Sequence, residues 1–136
     1  MKYIEKNYRV YTDKNHRAIA GLSMGGFHSL YISAYYPNKF GYVGLFSAAT
    51  SKQVNKGVTS DVYENLEDKL AVQFKNAPKL YWIGIGKTDF LYKDNMDFRK
   101  ILDNNGYKYT YMETDGGHIW KNWRIYLTEF VPLLFK

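Results

Sequence analysis

The 136-residue chain has no cysteine, which excludes disulfides and thiolate metal sites but leaves the compartment open. No apolar run approaches the ~18 residues of a membrane span. The opening Met1-Lys2-Tyr3-Ile4-Glu5-Lys6 lacks the apolar core of a signal peptide. Like charges never gather into a block of about five, and no nucleic-acid-binding motif is present. The net charge of +6 therefore reads as lysines on solvated surfaces, with at most a mild preference for acidic substrates or polymers. Neither nucleic acid nor a spanned membrane is an expected partner. Internal repeats and low-complexity segments are absent, and the length suits one domain. What is abundant is core material: 46% of residues are hydrophobic and 18% aromatic, as in a packed globular protein.

The organising stretch is Ala18-Ile19-Ala20-Gly21-Leu22-Ser23-Met24-Gly25-Gly26-Phe27. A short apolar run passes through Gly-x-Ser-x-Gly into a segment whose Phe27, Leu30, Tyr31 and Ala34 recur at helical spacing. Taken alone, the pattern could be an ordinary glycine-rich turn. Between a strand and a helix it has the context of a nucleophile elbow. Gly21 and Gly25 are expected to clear side chains from the strand–helix contact, and Gly26 to let the helix start lie close. The Met24 amide, at the helix N-terminus, then faces an oxyanion formed when Ser23 attacks a carbonyl.

The rest of the chain alternates helix and strand. A helix is expected over Lys2–Tyr11 with Tyr3, Ile4, Tyr8 and Tyr11 as its apolar side, then a polar turn over Thr12–Arg17. The elbow strand, Ala18–Leu22, reads as buried on both faces. Its helix runs to Tyr36, where Pro37 stops it. A strand follows at Tyr42–Ser47, a surface loop at Ala48–Thr59, and a helix from the Ser60 cap to about Lys75. Lys79–Ile85 is a strand, Lys93–Asn104 a helix ended by Gly106, and Tyr107–Glu113 a strand. Trp120, Trp123, Leu127, Phe130, Val131 and Leu134 form a terminal helical stripe. This alternation predicts a parallel sheet.

A nucleophilic serine needs a base, and there are three histidines. His16 precedes the elbow strand, at the wrong end of a parallel sheet. His28 lies on the elbow helix near its solvated rim. His118 follows a strand and Gly116-Gly117, on a loop at the same sheet edge as Ser23, and is the leading base. The acid belongs at a strand end between them. Asp89 fits, although it could instead cap the following helix; Asp61, Asp94, Asp97 and Asp115 are alternatives. In these roles His118 takes the Ser23 proton and Asp89 holds the imidazole tautomer. Such chemistry needs no metal or organic cofactor.

Three separated motifs, Ala-Gly-Leu-Ser-Met-Gly-Gly at 20 to 26, Gly-Lys-Thr-Asp-Phe-Leu-Tyr at 86 to 92 and Gly-Gly-His-Ile-Trp-Lys-Asn-Trp-Arg at 116 to 124, resemble the esterase D-like branch of the α/β-hydrolases, and within it the feruloyl and acetyl-xylan carbohydrate esterases. The resemblance implies a three-layer α/β-hydrolase fold, Ser23, Asp89 and His118 as a triad, and a carboxylic ester substrate that is carbohydrate-linked. S-formylglutathione or siderophore-ester hydrolysis is the alternative within the class, and a non-catalytic fragment or assembly partner the alternative outside it. It implies a secreted or periplasmic setting. It also offers Trp120 as an aromatic wall for a sugar or phenolic acyl group, against a plain helix-core role. The family lays down strands before the elbow strand, so residues 1–136 are expected to form a single, partial catalytic domain lacking the N-terminal strands. The elbow strand is then an edge, and the chain is expected to be weakly active and to form homo-oligomers or to need a missing N-terminal segment.

Overall fold

A computed structural model describes residues 1–51 and 60–136. Its strands are β1 (Ala18–Leu22), β2 (Tyr42–Phe46), β3 (Leu80–Gly86) and β4 (Thr110–Thr114), and its helices are α1 (Lys2–Asn7), α2 (Met24–Tyr35), α3 (Leu66–Lys75), α4 (Tyr92–Asn104) and α5 (Trp120–Phe130). The sheet order is β1-β2-β3-β4 and every pairing is parallel. Parallel neighbours require crossovers, which α2, α3 and α4 supply. The alternation of strand and helix in the sequence therefore translates directly into topology.

Period-two alternation sorts the central strands onto two faces. Val43, Leu45, Tyr81, Ile83 and Ile85 point into a core completed by Phe27, Leu30, Tyr31 and Ala34 of α2, Leu70 of α3, and Phe98 and Leu102 of α4. Tyr42, Phe46 and Trp82 face the other way and pack on Tyr126 and Phe130 of α5. This gives three layers, helix–sheet–helix. Gly44 and Gly84 make the second contact possible: a Cβ there would lie 3.0 Å from the Phe130 ring and 2.9 Å from the Tyr126 ring, respectively.

Several local expectations need correction. The first helix ends at Asn7, Tyr8 is already extended, and no residue of α1 is buried. Its intended apolar side is solvent-facing; the segment is tethered instead by an ion pair from Glu5 to Arg17 at 2.6 Å. β1 lies at the edge of the sheet, so Ala20 is exposed rather than buried on both faces. The helix expected from Ser60 to Lys75 is broken. Ser60 caps a 3-10 turn over Asp61–Tyr63, Glu64 is extended, Asn65 adopts a left-handed φ of 50°, and only then does α3 begin. Of the loop expected over 48–59, Ala48, Ala49 and Thr50 are buried, because they run beneath the elbow; residues 52–59 lie outside the described residues.

The terminal stripe is also rotated. Asn122, Tyr126 and Phe130 are the buried residues of α5, while Trp120, Leu127 and Val131 are exposed. The helix is apolar on more than one side, and the edge position of β1 leaves one of those sides without a strand to cover. Among the described residues no helix is long and apolar enough to cross a membrane.

Candidate active site

Ser23 sits between the last residue of β1 and the first of α2, with φ 52° and ψ −116°. A non-glycine residue in that region carries roughly 1–3 kcal/mol of strain and persists only where its surroundings fix it. Here its N–H donates to the Phe46 carbonyl at 2.9 Å, and its own carbonyl accepts from Phe27 at 3.1 Å and Ala49 at 3.2 Å. Two glycines allow this crowding. A Cβ at Gly21 would lie 2.3 Å from the Gly25 backbone, and one at Gly26 would lie 2.4 Å from the Ala48 Cβ. Gly25, expected to relieve the same contact with a missing side chain, has nothing within 4 Å of its Cβ position. It contributes close backbone approach rather than side-chain clearance.

The elbow hydroxyl is part of a hydrogen-bonded chain across three strand ends. Ser23 Oγ lies 2.9 Å from His118 Nε2. His118 Nδ1 lies 3.0 Å from Asp89 Oδ1 and 2.9 Å from Oδ2. The Asp89 side chain is fully buried and that of His118 is 18% exposed. A buried carboxylate must be compensated, and the Leu91 N–H adds a third bond to Oδ1 at 2.9 Å. Asp89 is not the cap of the following helix: α4 begins after Leu91, which stands at the N-cap position with no side-chain capping bond, and the Asp89 carboxylate binds only the Leu91 N–H ahead of it while facing the imidazole. Because a carboxylate can only accept, it assigns the imidazole proton to Nδ1 and leaves Nε2 to accept from the serine hydroxyl. That arrangement can activate an oxygen nucleophile.

The other candidates are placed elsewhere. His16 is bonded to Asp13 at 2.7 Å and stacks on Tyr11. His28 is half-buried beside the Tyr63 hydroxyl at 3.4 Å. Asp97 pairs with Lys93 and Lys100, whose ammonium groups hold its carboxyl below the ordinary carboxylate value. Asp115 pairs with Lys87 at 2.9 Å on the surface, and that bond lowers its pKa. Asp61 opens the 3-10 turn, and Asp94 lies in the first turn of α4. Met24 begins α2, so its N–H belongs to the first-turn amides that lack an intrahelical acceptor.

Trp120 is 64% exposed, which removes the helix-core role. It packs edge-on against Trp123 at 5.1 Å. Together with Leu22, Phe46, Trp123, Arg124 and Leu127 it lines a cavity of about 240 Å³ beside the elbow strand. Two neighbours of the imidazole were not picked out by sequence reasoning. Phe90 lies against His118 at 4.6 Å and is 76% exposed, and the Trp123 ring meets it edge-on at 4.9 Å. The spacing of Trp123 places it in the terminal helical stripe, and Phe90 follows the acid with no periodic signal. Among the described residues, no group of three or more His, Cys, Asp or Glu side chains could hold a metal ion.

Comparison with known proteins adds an independent line. A family model described as "Putative esterase" matches residues 1–134. An acetyl esterase of Caldicellulosiruptor saccharolyticus is 29% identical over 147 residues, covering 87% of this chain and 54% of that protein. An endo-1,4-beta-xylanase/feruloyl esterase of Xylanibacter ruminicola is 31% identical over 134 residues, covering 98% of this chain and 16% of that protein. The chain thus spans about half the length of the first relative and a small part of the second. Among solved structures, a CE1 ferulic acid esterase from the anaerobic fungus Anaeromyces mucronatus superposes with a TM-score of 0.81 at 26% identity, over 99% of this chain and 50% of that one.

Proposed function

The chain belongs to the esterase family, and from that premise we propose that it is a serine esterase acting on carboxylic esters, with Ser23 as nucleophile, His118 as general base and acid, and Asp89 as the group that orients and stabilises the imidazole. The observation that carries this reading is the unbroken Ser23–His118–Asp89 chain, with 2.9 Å at the serine and 2.9 and 3.0 Å at the carboxylate, built on a strained elbow.

In the proposed reaction, Ser23 Oγ attacks the ester carbonyl carbon while its proton passes to His118 Nε2. Negative charge collects on the former carbonyl oxygen, where the Met24 N–H at the start of α2 is the donor offered by the elbow. Collapse breaks the ester C–O bond, and Nε2 returns the proton to the departing alkoxide. Water, deprotonated by the same nitrogen, then attacks the acyl-serine, and the acid product leaves as Ser23 recovers its proton. The buried Asp89 carboxylate stabilises the imidazolium in both half-reactions.

The substrate class follows the relatives and the site rim. The relatives' names include acetyl and feruloyl esterases, so carbohydrate-linked acetyl or feruloyl esters are the proposed substrates. Phe90 and Trp120, both exposed beside the imidazole loop, suit a flat phenolic ring or a sugar face. Residues 1–136 are read as one catalytic unit, since both cores share a single sheet. The test is hydrolysis of methyl ferulate and of acetylated xylan by the parent chain and by Ser23→Ala. Turnover in the parent and none in the folded variant is expected; equal turnover in the two removes Ser23 as nucleophile.

A further inference from the structure

Asn122 is a polar side chain 1% exposed on the inner face of α5, in line with Tyr126 and Phe130. A buried carboxamide is tolerated where its hydrogen-bonding groups find partners. Its Nδ2 donates to the Gly117 carbonyl oxygen at 3.0 Å. That carbonyl belongs to the peptide bond leading into His118. The same oxygen accepts the Ile119 N–H at 3.0 Å, closing a three-residue turn with His118 at its centre.

The surroundings leave this peptide little freedom. A Cβ at Gly86, the last residue of β3, would lie 2.8 Å from Asn122 Nδ2 and 2.2 Å from the Gly116 carbonyl oxygen. Carboxamide, strand end and histidine loop are therefore in direct contact. The loop leading to Asp89 is tied to the same place: Lys87 N–H donates to the Thr114 carbonyl at 2.9 Å, and Thr88 N–H to the Gly116 carbonyl at 3.0 Å. Backbone bonds register the two loops, and at the Gly117 carbonyl the Ile119 N–H is joined by the Asn122 carboxamide, the side-chain donor that α5 supplies to the Gly117–His118 peptide.

We infer that Asn122 is a positioning residue that clamps the Gly117–His118 peptide, so that the imidazole meets Asp89 through Nδ1 and Ser23 through Nε2 at once. The imidazole must satisfy partners on both sides at 2.9 to 3.0 Å, and its Cα is the pivot. A small tilt of the peptide that preserves one bond lengthens the other. The catalytic consequence rests on the serine-esterase reading; the geometric part rests only on the His118–Asp89 bond.

The test uses Asn122→Leu, close in size without a donor, and Asn122→Asp, which sets a carboxylate oxygen against the Gly117 carbonyl. Turnover of p-nitrophenyl acetate is measured with the downfield proton resonance of His118 Nδ1–H. Folded variants are expected to lose about 10²-fold in kcat with KM within about twofold of the parent, and to lose or broaden that resonance. A residue that merely packs would lower the melting temperature and leave kcat per folded molecule and the resonance unchanged, and that result overturns the inference. Should neither variant fold, hydrogen exchange of the Asn122 side-chain amide in the parent decides. Strong protection supports the clamp, and exchange as fast as that of an exposed carboxamide refutes it. A parent without turnover would count against the proposed function and not against the clamp, which the Nδ1–H resonance would then decide.

Discussion

The elbow glycines allow a prediction whose sign differs between two positions four residues apart. At Gly21 a Cβ would sit 2.3 Å from both the carbonyl carbon and oxygen of Gly25. Ordinary contact begins near 3.4 Å, so β1 and the first turn of α2 would have to separate by about 1 Å. Both partners are backbone, and no side chain can turn aside. Overpacking of this kind costs about 1–3 kcal/mol, and the displacement acts directly on Ser23. At Gly25 a Cβ meets nothing within 4 Å and φ is not positive. Alanine there restricts the unfolded chain and favours the helix, a gain of up to about 1 kcal/mol. Thermal unfolding of Gly21→Ala and Gly25→Ala should therefore bracket the parent, with Gly21→Ala several degrees below it. Fluorophosphonate labelling should fall sharply only in Gly21→Ala. Equal stability of the two variants would refute the steric account of the elbow.

Other consequences can be checked by substitution. Asp89→Asn should lower turnover by about 10⁴-fold, since the amide favours the wrong tautomer, whereas Asp115→Asn, which loses only an exposed bond to Lys87, should stay within about twofold; kcat measurements on both decide the acid. The β1 edge, Ala-Ile-Ala-Gly-Leu, carries no charge or proline against edge pairing, so sedimentation velocity should show self-association that Ala20→Lys reduces, and a monomeric parent at the same concentration contradicts this. Glu113 accepts hydrogen bonds from the Tyr92 and Tyr111 hydroxyls at 2.7 and 2.9 Å, which hold its pKa below the usual 4.5. A depressed carboxyl stabilises above its unfolded value and stops doing so as pH falls through its folded one, so Glu113→Gln should be slightly less stable than the parent at neutral pH and equal to it in acid.

The parts of this molecule legible in the sequence were those where one residue type has one physical use. Gly21 and Gly26 fit a strand–turn–helix because a side chain at either would clash, and Ser23 stands at the turn between them. Phe27, Leu30, Tyr31 and Ala34 repeat at helical spacing on a helix with one buried face, and all four are buried. His118 and Asp89 follow strands, and a parallel sheet gathers its strand ends on one side. What was misread depends on long-range placement. The apolar arc of α5 runs without a break from Tyr126 and Phe130 through Trp123 to Leu127 and Trp120, so periodicity could not tell its Tyr126–Phe130 margin from its Trp120–Leu127 margin; packing of Tyr42, Phe46 and Trp82 on Tyr126 and Phe130 decides that. The break at Glu64–Asn65 rests on a left-handed asparagine with no local signature beyond its identity. Phe90 meets His118 from a loop distant in sequence, and the bond from Asn122 to the Gly117 carbonyl, though only five residues away, depends on how the histidine loop folds back onto α5.

Activation of Ser23 as a nucleophile is the property on which the proposed esterase chemistry depends. Incubation with a fluorophosphonate probe followed by peptide mass spectrometry measures this without choosing a substrate. The expected result is a single adduct on Ser23 in the parent chain, abolished in Ser23→Ala and reduced by orders of magnitude in His118→Ala. Absence of an adduct on the folded parent, or an adduct on Ser23 that forms equally fast without the His118 imidazole, would contradict the proposed function.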